Sequence, residues 1–204
     1  SIMQNSRETN DLKKLIARLH SQTPLIGWEL RRMAVNALAK NGSPEAMDAL
    51  ADVFSHSADQ RVHQMALEVL QNLAAEGNAG AQEALCRLMV AHQHPLAREI
   101  VLAAQYAPHD PKQRARSYIL TAQWDKYEQL DFDHHLLRTA YNAVDKKLQK
   151  RIVVSARQGG RADLLASFVA GEQHVDRMTD EDWQAMLAAL SNHGEWAELW
   201  RLAQ

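Results

Sequence analysis

In the stretch SPEAMDALADVF the apolar residues Ala46, Met47, Leu50, Val53 and Phe54 fall at the spacing of one helix face. Thirty-five residues later GAQEALCRLM repeats them as Ala81, Leu85, Leu88 and Met89, and thirty-five residues earlier DLKKLIARL offers Leu12, Leu15 and Leu19. A second helix pattern follows each copy. LRRMAVNAL places Leu30, Met33, Ala34, Val35 and Leu38 where VHQMALEVL places Val62, Met65, Ala66, Leu67 and Leu70, and AREIVLAAQ follows more loosely with Ile100, Val101 and Leu102. Residues 11–42, 43–77 and 78–110 therefore read as three helix–turn–helix units. One pair of amphipathic helices leaves an apolar face wet, and the next pair covers it, so such a rhythm predicts a stack.

The punctuation agrees with the period. In AKNGSPEAMDAL, Gly42 can take the left-handed conformation that closes a helix, Ser43 can cap the next, and Pro44 suits its first turn. Beyond residue 110 the helix pairs persist without close similarity. Helices are expected near 111–129 and 134–145, then 146–158 and 160–171, then 179–193 and 195–203. In the last pair Thr179 can cap, Asp182 can answer it, and Met178 can staple onto Trp183. Gly159, Gly160 and Gly194 mark short links, and no long linker interrupts them.

With eight Gly and five Pro in 204 residues, few segments can be built from strands and tight turns. The fold class expected is all-α: an α-α superhelix, a curved solenoid of about six helix pairs. Residues 1–204 are expected to form a single array, with three regular repeats over 11–110 and three divergent pairs over 111–204. The chain starts at Ser and stops inside WAELWRLAQ, which reads as a piece of a larger protein. The one cysteine, Cys86 in ALCRLMV, excludes an intramolecular disulfide and reads as a small buried hydrophobe. With no leader or spanning apolar run, a cytoplasmic location is expected.

The residues SPEAMDALADVF followed by DQRVHQMALEVLQNLA resemble the short HEAT-like repeats of bilin-lyase proteins. GWELRRMAVNALAKNG matches the second helix of that pattern at Leu30, Arg31, Ala34, Ala37, Leu38 and Gly42, and HPLAREIVLAA matches more weakly, so the likeness covers residues 11–105. The segments YILTAQWDKYEQLDFDHHLLRTAY and MTDEDWQAMLAALSNHGEWAELWRLAQ look like the helical segment beside β-propellers in large bacterial multidomain proteins. These resemblances imply a protein-binding scaffold rather than a catalyst.

Motifs with chemical potential have plainer readings. Asp131, Asp133, His134 and His135 in DFDHH offer metal-ligand types, yet adjacent histidines on a helix diverge by about 100°. Asp131 or Asp133 is expected to cap a helix starting at His134, with Phe132 plugging the gap between helices. His109–Asp110 is the dipeptide of HD phosphohydrolases, but their further ligands are not found in the sequence, and Asp110 before Pro111 reads as a helix start. His92 and His94 read as a solvated turn. No phosphate loop, nucleophile elbow or His-Glu-x-x-His occurs. No enzyme, cofactor or metal is expected.

Charge alternates by block. Residues 1–42 carry seven Lys/Arg against three Asp/Glu and 43–110 three against nine, while 111–158 carry ten against five and 159–204 three against eight. Such blocks suit recognition of a protein partner or of neighbouring domains. The second helix of each pair is expected to line the inner face and to offer Arg31, Arg32, His63, Gln64, Arg98, Glu99, Arg138 and Asn142 to that partner, the arginines gripping carboxylates or phosphoryl groups. The alternative is a nucleic-acid-binding array using the basic segment 145–161. Membrane and small-molecule partners are not expected. Trp124 and Trp183 are expected in the core, whereas Trp196 and Trp200 share one face that is either core or interface.

Overall fold

The computed structural model describes residues 2–161 and 163–164; most of the expected helix at 160–171 and all of those at 179–193 and 195–203, with Thr179, Trp183, Trp196 and Trp200, lie outside them. All regular structure among the described residues is helical. The chain divides into two compact units, Ser1–Ala107 and Pro108–Gln204.

Unit 1 holds α1 (Ile2–Leu19), α2 (Gly27–Asn41), α3 (Pro44–His56), α4 (Gln60–Ala75), α5 (Ala79–His92) and α6 (Pro95–Ala104). The three expected pairs are present, and α1 begins nine residues before the expected start of its unit. Middle helix α3 packs against α1, α2, α4 and α5, so each pair is covered by its neighbours. The interior is one continuous cluster running from Leu19 through Leu38, Met47, Leu50, Leu70, Leu85 and Met89 to Val101. Full burial of each such side chain contributes about 1.5–3 kcal/mol, which is why the apolar period dictates the stacking.

The turns between pairs are sealed by short polar side chains. Gly42 closes α2 at φ 65, the Ser43 hydroxyl accepts from the Ala46 N–H at 3.2 Å, and Pro44 occupies the first turn of α3. One period later Asn78 caps α5, its Oδ1 accepting from the Ala81 N–H at 3.0 Å, while its Nδ2 donates to the Gly42 carbonyl at 2.9 Å. That bond ties one inter-repeat turn to the next.

In unit 2 the described helices are α7 (Pro111–Leu120), α8 (Trp124–Leu130), α9 (His135–Asn142) and α10 (Lys146–Gln158). Helix α7 packs against each of the other three. Ala115, Ile119, Tyr127, Leu137, Tyr141, Ile152, Val153 and Leu164 form its core, with Trp124 packed against it. Gly159 is steric in purpose: a Cβ there would fall 2.4 Å from Cζ2 of Trp124. The expected helix 111–129 is in fact two. Ala122 turns left-handed at φ 56, the Gln123 N–H donates to the Tyr118 carbonyl at 2.8 Å, and the Thr121 hydroxyl donates back to the Ser117 carbonyl at 2.7 Å. A helix normally ends this way on Gly, and an alanine in that role leaves no mark in the sequence.

Phe132 is the clearest departure. It is 88% exposed and fills no gap. The buried ring at that place is Tyr127, whose hydroxyl donates to Asp131 Oδ2 at 2.9 Å.

Candidate partner-binding surface

The residues expected to meet a partner divide by how much the fold already asks of them. Arg31 on α2 donates from Nη1 to the Ser21 carbonyl at 2.7 Å and from Nη2 to Asp59 Oδ2 at 2.9 Å. Its Nε is buried with no hydrogen-bond partner. Arg31 thus clamps the turn after α1 to the start of α4. Arg32 forms an ion pair with Glu29 one turn earlier, and that bond raises the guanidinium and lowers the carboxyl from their ordinary values. His63 on α4 is structural: Nε2 lies 2.6 Å from the Ser57 carbonyl and 3.0 Å from that of Val53, so it is the protonated nitrogen and donates. Its ring stacks on Phe54 with centroids 4.6 Å apart.

Gln64 is exposed and bonds Glu68 at 3.4 Å, while Arg98 and Glu99 stand exposed on α6. Arg138 on α9 is half-buried with its Nε unpartnered, and Asn142 is exposed at the end of α9. Arg31, Arg32, His63 and Gln64 each bond to residues outside the expected set, so the fold does not gather that set into one constellation.

What it does gather lies at the turns inside each pair. His20, Gln22, Arg31, His56, Ser57, Ala58 and Asp59 line a cleft of about 140 Å³. The rings of His20 and His56 meet edge to face, centroids 5.9 Å apart. Asp59 is the charge centre. Burial alone would raise its carboxyl, but hydrogen bonds from Arg61 and Arg31 outweigh that and hold it down at about 2. Asp59 also caps α4, accepting from the Arg61 N–H at 3.0 Å, while the Arg61 guanidinium lies 4.1 Å over the Trp28 ring. One pair further on, Phe54 meets three imidazoles: His63, His92 at 6.5 Å and His94 at 5.2 Å. His94 Nδ1 caps α6, accepting from the Ala97 N–H at 3.3 Å; burial first, then the neighbouring His63 and His92, lower its pKa. Of this imidazole-rich edge only His63 was among the expected sites, and His92 and His94 had read only as a solvated turn. The signal was the recurrence of His at the end of the first helix in each of the three pairs of unit 1.

The other candidate chemistry serves structure. Asp131 is buried and accepts from the Leu136 and Leu137 N–H groups, each at 2.8 Å, while Asp133 accepts from the His135 N–H at 3.2 Å. The expected capping role holds, one residue later than the expected start. Asp110 caps α7 through the Gln113 N–H at 3.0 Å. Glu128, His134 and Asp163 bring ligand atoms within 4.8 Å of one another, but the Arg161 guanidinium bonds both carboxylates and supplies the positive charge there. The Cys86 thiol is pushed up to about 12 by burial and then by the charge of Glu83, which makes it a poor nucleophile.

A family model described as HEAT repeats matches residues 12–105. Residues 12–105 fit a HEAT-like repeat. The matched span covers nearly all of unit 1 and takes in its three helix pairs. No curated protein and no solved structure matches the chain. Among the described residues no helix is long and apolar enough to cross a membrane. HEAT repeats generally mediate protein interactions, and the family is typically non-catalytic.

Proposed function

We propose that this chain is a protein-interaction scaffold, a recognition arm of a larger bacterial multidomain protein, and that it carries out no catalysis. The observation that carries this reading is the HEAT match over residues 12–105, laid on helix pairs whose cores merge into one cluster. Stacked pairs spend their apolar residues on one another and present a long polar surface, which suits recognition better than bond-making. A protein partner or neighbouring domains of the same chain would occupy that surface, in the cytoplasm, where a lone buried thiol such as Cys86 persists.

Of the expected contact residues, Gln64, Arg98 and Glu99 in unit 1 and Asn142 in unit 2 have exposed side chains suited to direct contact, and Arg32 is partly exposed. Arg31 and His63 act by shaping the turns beneath them. Cross-linking in the native host should capture a defined protein or domain with the wild-type chain and lose it with the charge-exchanged pair Arg98→Glu and Glu99→Arg. Unchanged capture by that variant would exclude this surface. The nucleic-acid alternative is favoured by one feature: Lys146, Lys147, Lys150 and Arg157 are exposed on α10. Duplex binding that falls steeply with added salt would establish it in place of the scaffold.

A further inference from the structure

His20, His56 and His92 recur every thirty-six residues, at the end of the first helix of each repeat. His56 and His92 are exposed and His20 is half-buried, so none is held as a core residue. The first two rings meet directly, His20 against His56 at 5.9 Å, while His92 Nε2 lies 3.1 Å from the Ser55 hydroxyl of the preceding repeat. The charged and titratable groups at this edge are Arg31, Asp59 and Arg61 beside the first two rungs, and His63 and His94 beside the third. Beside the first two rungs two guanidiniums meet one carboxylate, a local excess of one positive charge.

We propose that this histidine row is a docking strip for an extended, acidic segment of a partner protein, engaged when its imidazoles take up protons. The inference rests on the scaffold reading and adds to it the class of partner and a control. Side chains on one face of an extended chain recur every second residue, about 6.6–6.8 Å apart, close to the 5.9 Å between the His20 and His56 rings. A Glu-x-Glu segment can therefore set one carboxylate against each of His20 and His56. Protonating both imidazoles without a partner brings two like charges together. Paired carboxylates relieve that repulsion, so binding and proton uptake favour each other.

The test uses the full chain and a rhodamine-labelled peptide of alternating Glu and Gly, with a Lys/Gly peptide as control. Fluorescence anisotropy should show the acidic peptide binding about tenfold more tightly near pH 5.5 than near pH 7.5. Calorimetry in two buffers of different ionisation heat should show proton uptake on binding. His20→Gln, His56→Gln and His92→Gln together should flatten the pH dependence while leaving the circular dichroism unchanged. Should that variant misfold, the proton uptake of the wild type decides. Binding that is independent of pH, equal for the Lys peptide, or equally pH-dependent in the folded triple variant would overturn the proposal. Such a failure leaves the scaffold reading standing if partner capture still depends on Arg98 and Glu99.

Discussion

The interior of unit 1 is Ala, Leu, Val, Met, Ile and Cys throughout, whereas the interior of unit 2 admits Tyr127, Tyr141 and polar groups. All four buried polar side chains among the described residues, Ser117, Thr121, Asp131 and Gln149, belong to unit 2. Its described helices are shorter on average, and they are joined by specific bonds: Gln149 Nε2 to the Tyr141 carbonyl at 2.8 Å, the Ser155 hydroxyl to the Ile119 carbonyl at 2.6 Å, and Tyr127 to Asp131. An interior of interchangeable apolar side chains can be copied from pair to pair. One built on individual hydrogen bonds cannot, because each bond serves a single place.

The largest expected effect tests that contrast at Asp131. Asp131→Ala leaves the Tyr127 hydroxyl and two backbone N–H groups without their acceptor, at a cost of about 3–4 kcal/mol. Hydrogen exchange should show the loss in α8 and α9, with α1 to α6 unchanged. A drop below about 1 kcal/mol would mean that the polar interior is incidental.

Leu50→Ala probes the apolar interior at its centre. Leu50 is fully buried in α3, the helix that touches both neighbouring pairs, and truncation should cost about 3 kcal/mol in chemical denaturation. Exchange should quicken in α1 and α5 as well as in α3, since a stack transmits a loss to its neighbours.

The same contrast explains what the sequence made legible. Ala46, Leu50 and Val53 announced α3 because their spacing is also their job. Ser43 and Asp110 announced helix starts because a short polar side chain ahead of a helix has few other uses. The end of α7 was hidden because an alanine, Ala122, takes the left-handed turn. Phe132 misled because a large apolar residue beside a helix start is the usual sign of a plug. At the candidate surface, identity was legible and availability was not: Arg31 and His63 are polar and helical as expected, yet Ser21, Asp59, Ser57 and Val53 already occupy their donors. Those partners sit in turns, whose paths the helical period does not encode.

A smaller effect is expected at Asp59, the unit 1 carboxylate most like Asp131 in the number of donors it meets. Asn at this position can still cap α4, so Asp59→Asn isolates the ion pairs with Arg31 and Arg61. Partial exposure screens those pairs, and the variant should lose about 1 kcal/mol near neutral pH. Because the folded carboxyl sits at about 2, this stability is complete above the unfolded value near 3.9 and is lost as the pH falls toward 2. Urea midpoints for the two chains should therefore converge on acidification. A gap that stays constant down to pH about 2 would mean that packing, not charge, holds Asp59.

The smallest effect sharpens the comparison inside unit 1, between a cap that titrates and one that does not. His94 holds the start of α6 only while its Nδ1 is unprotonated and can accept the Ala97 N–H, and a positive charge at a helix start is unfavourable besides. Its folded pKa is lowered, by burial and then by His63 and His92, so the folded state binds the proton less readily than the unfolded chain. The cap's contribution is thus complete above the ordinary histidine value near 6.5 and is lost as the pH falls below it. His94→Asn supplies an acceptor that does not titrate. The variant should match the wild type near pH 8 and exceed it by about 0.5 kcal/mol near pH 5, read as slower exchange of the first amides of α6. If instead the variant loses the same stability at both pH values, His94 is held by its edge-on contact with Phe54 rather than by the cap.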